Sequence, residues 1–288
     1  MSDINLLSHD IVEEELRTLK YKYQKELCAS IPLSDKITMA LDLIQTHEPP
    51  EGYYVAFSGG KDSIVILDLI RKAGVNYDAH YSQTTVDPPE LQKFIKQYYS
   101  DVEWIKPKKS FFKLIPHKKC IPTRMIRWCC SELKEIGGKN RVIVLGIRWC
   151  ESRGRRFRTY YHESTKFKDK LFLNPILSFT DEDIWTYIHT NNLNYPSLYD
   201  EGYTRLGCIL CPLSGQKNKD MDLRRYPKYV KAYLSAIRKM LKVREQKNMP
   251  WKHGNEIETL YWWIYEHDAS PLELDIFIKL LTELKVIE

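Results

Sequence analysis

The chain has 288 residues, of which 43% are hydrophobic and 28% charged, and it carries a formal net charge of +6. Such a length buries a full core, and such a composition is that of a soluble globular protein. No apolar run approaches the roughly 20 residues that a membrane span needs, and the opening Met-Ser-Asp-Ile-Asn has no basic and apolar secretory leader, so a cytoplasmic protein without membrane contact is expected. In that setting the seven cysteines read as metal ligands or redox thiols rather than structural disulfides. Basic residues crowd into 106–119, 148–158 and 224–247, which favours anionic partners such as nucleotides, DNA or RNA and equally fits solvated faces.

Taken in chain order, Ile11, Leu16, Leu19, Tyr23 and Leu27 recur at helical spacing and predict a helix over 10–28, followed by a second over 34–47 that stops before Pro49-Pro50. Strands are expected at 53–57, 77–81, 102–105 and 141–146, with helices at 62–73, 88–99 and 125–136 between them. That alternation predicts a doubly wound parallel α/β sheet. A short strand at 171–173 leads to a helix at 181–190, for which Thr180 and Asp183 form a capping box. Residues 191–219 are turn-rich and hold Cys208 and Cys211, and helices are expected at 226–247, 256–267 and 271–285. Ser214–Lys219 reads as a polar, flexible boundary. The expected division is N-terminal helices over 1–48, a nucleotide domain over 49–215 and a helical region over 216–288.

Residues 58–63, Ser-Gly-Gly-Lys-Asp-Ser, join the first strand to the helix after it. A helix start carries unpaired N–H groups and partial positive charge, so it suits a bound anion. Gly59 and Gly60 let the backbone curl round that anion, and Ser58, Ser63 and Lys61 supply donors and charge. Asp62 is placed to hold Mg²⁺ or to cap the helix. The spacing differs from that of a Walker loop, so no γ-phosphate-cleaving motor is implied. In an α/β sheet ligands gather at the carboxyl ends of the strands, where this loop lies.

Cys208-Ile209-Leu210-Cys211 is a CxxC in a turn, and Cys129 and Cys130 are adjacent on a predicted helix. Neighbouring helix residues point about 100° apart, which suits two corners of an iron–sulfur cluster better than one tetrahedral zinc ion. The competing reading makes Cys129 and Cys130 small buried hydrophobes. Cys28 is expected in the core, whereas Cys120 and Cys150 sit among basic residues that lower a thiol pKa, so one of them is a candidate sulfur-carrying or redox thiol. Thr85, Asp87 and Glu90 follow the second strand as candidate substrate contacts or, equally, as a helix cap built on Asp87, Pro88 and Glu90. Arg148 is expected to grip phosphates, with Arg153, Arg155 and Arg156 left as acceptor contacts. Trp251, Trp262 and Trp263, interleaved with Lys252 and His253, are expected to pack helices rather than stack on bases.

In order, the chain carries the Ser-Gly-Gly-Lys-Asp-Ser loop, Cys-Cys-Ser-Glu-Leu-Lys at 129–134, Gly-Ile-Arg at 146–148, Glu151-Ser152, Asn-Pro-Ile at 174–176, Asp-Glu-Asp-Ile-Trp at 181–185 and Gly-Cys-x-x-Cys-Pro at 207–212. From about residue 50 to 215 this set resembles the phosphoadenylylsulfate reductase family of the PP-loop ATP pyrophosphatase superfamily. The resemblance implies an adenine nucleotide α-hydrolase-like fold, with Ser58, Gly59, Gly60, Lys61, Asp62 and Ser63 at the phosphates of ATP or a related adenylyl nucleotide. It implies Lys134 and Arg148 as cationic contacts to nucleotide or cluster, and Cys129, Cys130, Cys208 and Cys211 as ligands of a 4Fe-4S cluster.

Reductases of this family use a later nucleophilic cysteine, and no cysteine follows Cys211 here. The expected activity is therefore ATP pyrophosphatase chemistry for sulfur transfer, of the DNA phosphorothioation or tRNA thiolation type. Lys61, Asp62 and Arg148 are the catalytic candidates, with a cysteine desulfurase as sulfur donor and DNA or tRNA as acceptor. Sulfonucleotide reduction and a non-catalytic nucleotide- or cluster-sensing subunit remain the alternatives.

Overall fold

A computed structural model describes residues 22–163 and 169–288. Of the helix expected over 10–28, residues 10–21 lie outside the described residues; α1 is helical over 22–30. A six-stranded sheet follows, built from β1 (Tyr53–Ala56), β2 (Tyr77–Ser82), β3 (Glu103–Ile105), β4 (Arg141–Val144), β5 (Tyr161–Glu163) and β6 (Lys170–Leu173) in the order β3-β2-β1-β4-β6-β5. β1 pairs in parallel with β2 and β4, and β4 with β6, whereas β5 joins the edge antiparallel to β6. The fold is thus the expected doubly wound α/β type. β5 was not expected, because three residues with no apolar alternation leave no signal above turn background.

The chain forms two compact units that interleave along the sequence. The first takes the residues up to Tyr81, Tyr98–Glu103 and Gly138–Tyr195; the second takes Ser82–Gln97, Trp104–Gly137 and Pro196–Glu288. These units do not follow the consecutive segments 1–48, 49–215 and 216–288.

In the first unit, β1 is the central strand and Tyr53, Tyr54 and Val55 are buried. The helix after it, α3 (Lys61–Ala73), packs against α2 (Leu33–Thr46) and α7 (Asp181–Thr190), and its Ile64, Val65, Leu67 and Ile70 are buried. Asp62 in its first turn and Arg71 and Lys72 in its last complement the helix dipole, and Gly74 closes it at φ 69°. Thr180 and Asp183 form the expected capping box on α7, and Asp183 also pairs with the buried Lys36 of α2.

The second unit has its own apolar core, formed by α5 (Phe111–Lys118), α9 (Pro227–Gln246), α10 (Glu256–Tyr265) and α11 (Pro271–Glu283) with the 208–211 turn. α4 is Pro89–Tyr98, and α6 is only Trp128–Leu133, shorter than the expected 125–136. α5 was hidden by its surrounding lysines and by Pro116 inside it. Residues 216–219, part of the segment expected to be flexible, open α8 (Gln216–Arg225). Its inward face is Asn218, Lys219, Asp222 and Leu223, so no apolar stripe announces it. Trp263 is 4% exposed, and Trp251 and Trp262 pack against the same core. The tryptophans therefore bind helices together, as expected. Among the described residues, no helix is long and apolar enough to cross a membrane.

Candidate functional site

The loop at 58–63 is a compact turn whose side chains are wired together. Gly59 stands at φ 72°, a conformation that disfavours any side chain. Ser63 donates its hydroxyl to the Gly60 carbonyl at 2.8 Å and accepts from the Ser58 amide at 3.2 Å and the Ser58 hydroxyl at 3.1 Å. Both hydroxyls thus brace the loop itself. What remains for an anion is the start of α3, whose first-turn amides have no partner inside the helix, and the cations around it.

Those cations are Lys61 and Arg148. Lys61 is 6% exposed, with its ammonium 3.3 Å from Asp62 Oδ2 and 3.1 Å from Asp181 Oδ1. Arg148 is 1% exposed. Its Nε donates to Asp62 Oδ1 at 2.6 Å, its Nη2 to Asp181 Oδ1 at 2.8 Å and its Nη1 to the Phe179 carbonyl at 3.4 Å. Burial opposes the charge on Arg148, but Asp62 and Asp181 outweigh it and raise the guanidinium pKa. Burial likewise pushes the Asp181 carboxyl up, and Arg148 and Lys61 together hold it below its ordinary value. A close backbone approach underlies the arrangement: a Cβ on Gly146 would lie 3.1 Å from Asp62 Cβ and 3.2 Å from its carbonyl carbon.

Asp62 therefore uses one carboxylate oxygen on Arg148 and the other on Lys61. It does not fit the role of an open Mg²⁺ ligand in this arrangement, and it holds two cations in place instead. Asp181 was not named as a site residue in the sequence, where its Asp-Glu-Asp-Ile-Trp run was read as a helix start and as one motif of the family resemblance. Its side chain is 73% exposed while it touches both buried cations, so it is the one member of the network open to exchange with a solute anion. Arg155 pairs with Glu151, four positions earlier.

The second cluster lies in the other unit. Cys129 and Cys130 stand on α6, where each thiol shifts the titration of the other. Cys129 also feels the charge of Cys208 and Cys211, so the four expected thiols share one neighbourhood. Arg127 donates to Cys130 Sγ at 3.4 Å. The Cys130 thiol falls to about 5, first because Cys129 hydrogen-bonds to it and then, against burial, because of Arg127; the Cys129 thiol rises correspondingly. The Lys134 ammonium is held protonated first by Cys208 and also by Asp87, Cys211 and Cys130, so this lysine belongs with the cysteines rather than with the loop.

The CxxC turn is tightly held. Leu210 adopts φ 56°, its amide donates to Asp222 Oδ2 at 2.8 Å, and the neighbouring Ile209 carbonyl accepts from the Tyr233 hydroxyl at 2.8 Å. Burial lifts the Asp222 carboxyl to about 6, against the Leu210 amide and the Tyr203 hydroxyl that bind it. Cys208 Sγ donates to Thr84 Oγ1 at 3.5 Å, and burial pushes its thiol up to about 11 despite Lys134. Cys208 nevertheless keeps accessible surface, and Lys134 is exposed. A group that is desolvated yet accessible lines a recess rather than a convex face. Among the described residues, no group of three or more His, Cys, Asp or Glu side chains is arranged to hold a metal ion.

Thr85, Asp87 and Glu90 have structural duties. Thr85, at φ 68°, accepts from the Phe111 amide at 2.9 Å and so caps α5. Asp87 is not a helix cap: it accepts from the Thr84 amide and hydroxyl, both at 2.7 Å. Glu90 binds Arg225 at 3.0 Å and the Tyr226 hydroxyl at 3.0 Å. Thr84, Asp222 and Tyr233 were not foreseen, because hydroxyl and carboxyl groups distant in sequence carry no local motif.

Residues 52–214 match the phosphoadenosine phosphosulfate reductase domain. The Methanocaldococcus jannaschii protein MJ0973 is 34% identical over 168 residues, covering 54% of this chain and 40% of that protein. The chain thus spans about two fifths of that relative, and it spans 41% of a second one from the same organism, MJ0066. Adenosine 5'-phosphosulfate reductase 2 of Bacillus subtilis is 25% identical over 205 residues, covering 65% of this chain and 85% of that enzyme. Among solved structures, the phosphoadenylyl-sulfate reductase of Candida auris aligns at TM-score 0.45 and 16% identity, over 65% of this chain and 93% of that one. With more than half of its length matched, the chain belongs to the phosphoadenosine phosphosulfate reductase domain family.

Proposed function

We propose that this protein is an ATP pyrophosphatase that adenylylates an acceptor for sulfur transfer. The observation that carries the reading is the pair of buried cations, Lys61 and Arg148, tied through Asp62 and the exchangeable Asp181 at the start of α3. A pyrophosphate arriving at the helix start meets two positive groups already desolvated and oriented, and it substitutes for Asp181. Preorganised charge of this kind stabilises negative charge that develops on a departing group. The acceptor oxygen attacks the α-phosphorus of ATP and pyrophosphate leaves; a sulfur nucleophile then displaces AMP.

Cys129, Cys130, Cys208 and Cys211 would hold a 4Fe-4S cluster, with Arg127 and Lys134 offsetting its negative charge. When bound, such a cluster supplies a site for an extra sulfide or tunes the sulfur donor. A cysteine desulfurase fits as that donor, and DNA or tRNA as the acceptor.

A second reading, sulfonucleotide reduction, is favoured by the names of relatives such as the Bacillus subtilis adenosine 5'-phosphosulfate reductase 2. Product analysis separates the two. Incubation with ATP, Mg²⁺, cysteine, a desulfurase and DNA or tRNA is expected to release pyrophosphate and AMP. Robust sulfite release from adenylylsulfate with thioredoxin, and no pyrophosphate from ATP, would replace transfer with reduction. A protein that yields neither product while binding nucleotide would be a sensing subunit.

A further inference from the structure

Two cysteines outside the four-thiol recess meet in the first unit. Cys28, on α1, is 0% exposed. Cys150, in the short turn that follows Arg148, keeps accessible surface. Lys25 and Ala29, on the same helix as Cys28, line one cavity with Cys150, and the two thiols shift each other's titration. Cys150 also lines a cavity of about 600 Å³, together with Lys25, Ala29, Pro32, Asp181 and Thr186. Asp181 is the carboxylate that holds Lys61 and Arg148, so the cavity wall includes a member of the loop network.

We infer that Cys150 is a nucleophilic thiol for sulfur–sulfur bonds presented in this cavity, with Cys28 as its resolving partner. Access sets the order: a reagent in the cavity reaches Cys150, and the buried Cys28 is reached only by Cys150. The charges agree with that order. The Cys28 hydrogen bond lowers the Cys150 thiol to about 7, with Arg148, Lys25 and Lys36 contributing against burial, while the Cys28 thiol is raised. A thiolate at neutral pH is the nucleophile in disulfide exchange.

The chemistry closes without an external oxidant beyond its own substrate. Cys150 Sγ attacks one sulfur of a disulfide; the new S–S bond forms, the old one breaks, and its electron pair leaves on the far sulfur, which takes a proton. Cys28 then loses its proton to solvent and attacks Cys150 Sγ. The second thiol leaves, and a Cys28–Cys150 disulfide remains. The protein dithiol is oxidised and the substrate disulfide is reduced to two thiols. A persulfide presents the same bond: Cys150 takes its outer sulfur, the donor leaves as a thiol, and Cys28 releases that sulfur as hydrogen sulfide. The inference does not rest on the nucleotide reaction.

The test uses the full chain with glutathione disulfide in one arm and glutathione persulfide in the other, read by peptide mass mapping. In the wild type, glutathione disulfide is expected to give a cross-linked Cys28–Cys150 peptide lacking two hydrogens. In Cys28→Ala, Cys150 is expected to keep one glutathione in the first arm and one extra sulfur atom in the second, and Cys150→Ser is expected to lose all three products. If only the disulfide arm reacts, the pair is a disulfide reductase site; if only the persulfide arm reacts, it is a sulfur-carrier site; each supports the assignment. If Cys28→Ala fails to fold, the wild-type cross-link decides. Absence of both the cross-link and any Cys150 adduct in folded wild-type protein overturns it, as does modification of Cys28 in Cys150→Ser.

Discussion

The loop at 58–63 and the cysteine recess are both built to hold negative charge, but they differ in how complete they are without it. Around the loop, each of the two buried cations faces two carboxylates, and the serine hydroxyls are spent inside the turn. In the recess, Arg127 and Lys134 face thiols, and burial keeps Cys208 neutral despite Lys134. The first site is preformed by its own charges, so a ligand exchanges with Asp181. In the second, Arg127 and Lys134 would be balanced only if the thiols ionised together, as they would on the iron–sulfur cluster proposed above.

Cys208→Ser tests that contrast most severely. It should abolish the visible absorbance and the bound iron of anaerobically purified protein while leaving ATP affinity in the loop unchanged. A colourless wild type, or an unaltered spectrum in the variant, would break the comparison on the cysteine side. Gly146→Ala strikes the other side. Its Cβ would press on Asp62, which must give by a few tenths of an ångström; a misplacement of about 1 Å costs on the order of 10²-fold in turnover, so a loss of roughly tenfold is expected. Pyrophosphate release should fall by that order with the iron content intact; equal loss of both would mean general unfolding.

Arg148→Lys keeps the charge but cannot span Asp62 and Asp181 with one planar fork. A loss of roughly tenfold in turnover is expected, of the order of one charge-assisted hydrogen bond. Full activity would show that charge alone suffices. The smallest effect is a stability effect at Asp222. Its carboxyl is lifted to about 6 from an ordinary 3.8, so its protonated form is favoured in the folded state. That contribution is complete below about pH 4 and is lost as pH rises through 6. Denaturant titrations should show the wild type losing about 3 kcal/mol relative to Asp222→Asn between pH 4 and 7. Parallel stability curves would contradict the assignment.

The parts legible in sequence were those with local, repeating signals. β1, the glycine turn and α3 announced themselves by an apolar run, two glycines and a second apolar run after them. The four cysteines were visible as an adjacent pair and a CxxC. The sequence failed where polar residues do the packing: α8 buries Asn218, Lys219 and Asp222 and read as a linker. It also failed where long-range geometry assigns the role. Thr85 became a cap for α5, Lys134 went to the cysteines, and Asp181, read as a helix start, closes the cation network. Cys28 and Cys150 look unrelated until the fold joins them.

The central claim is that Lys61, Arg148 and the start of α3 hold the phosphates of an adenylyl nucleotide. Calorimetric titration of ATP with Mg²⁺ into the wild type and Lys61→Ala tests it directly, since no donor or acceptor is needed. ATP should bind the wild type, and the substitution should weaken binding by roughly 10- to 100-fold, the range for a buried charge contact. No binding to the folded wild type, or equal affinity in the variant, would contradict it.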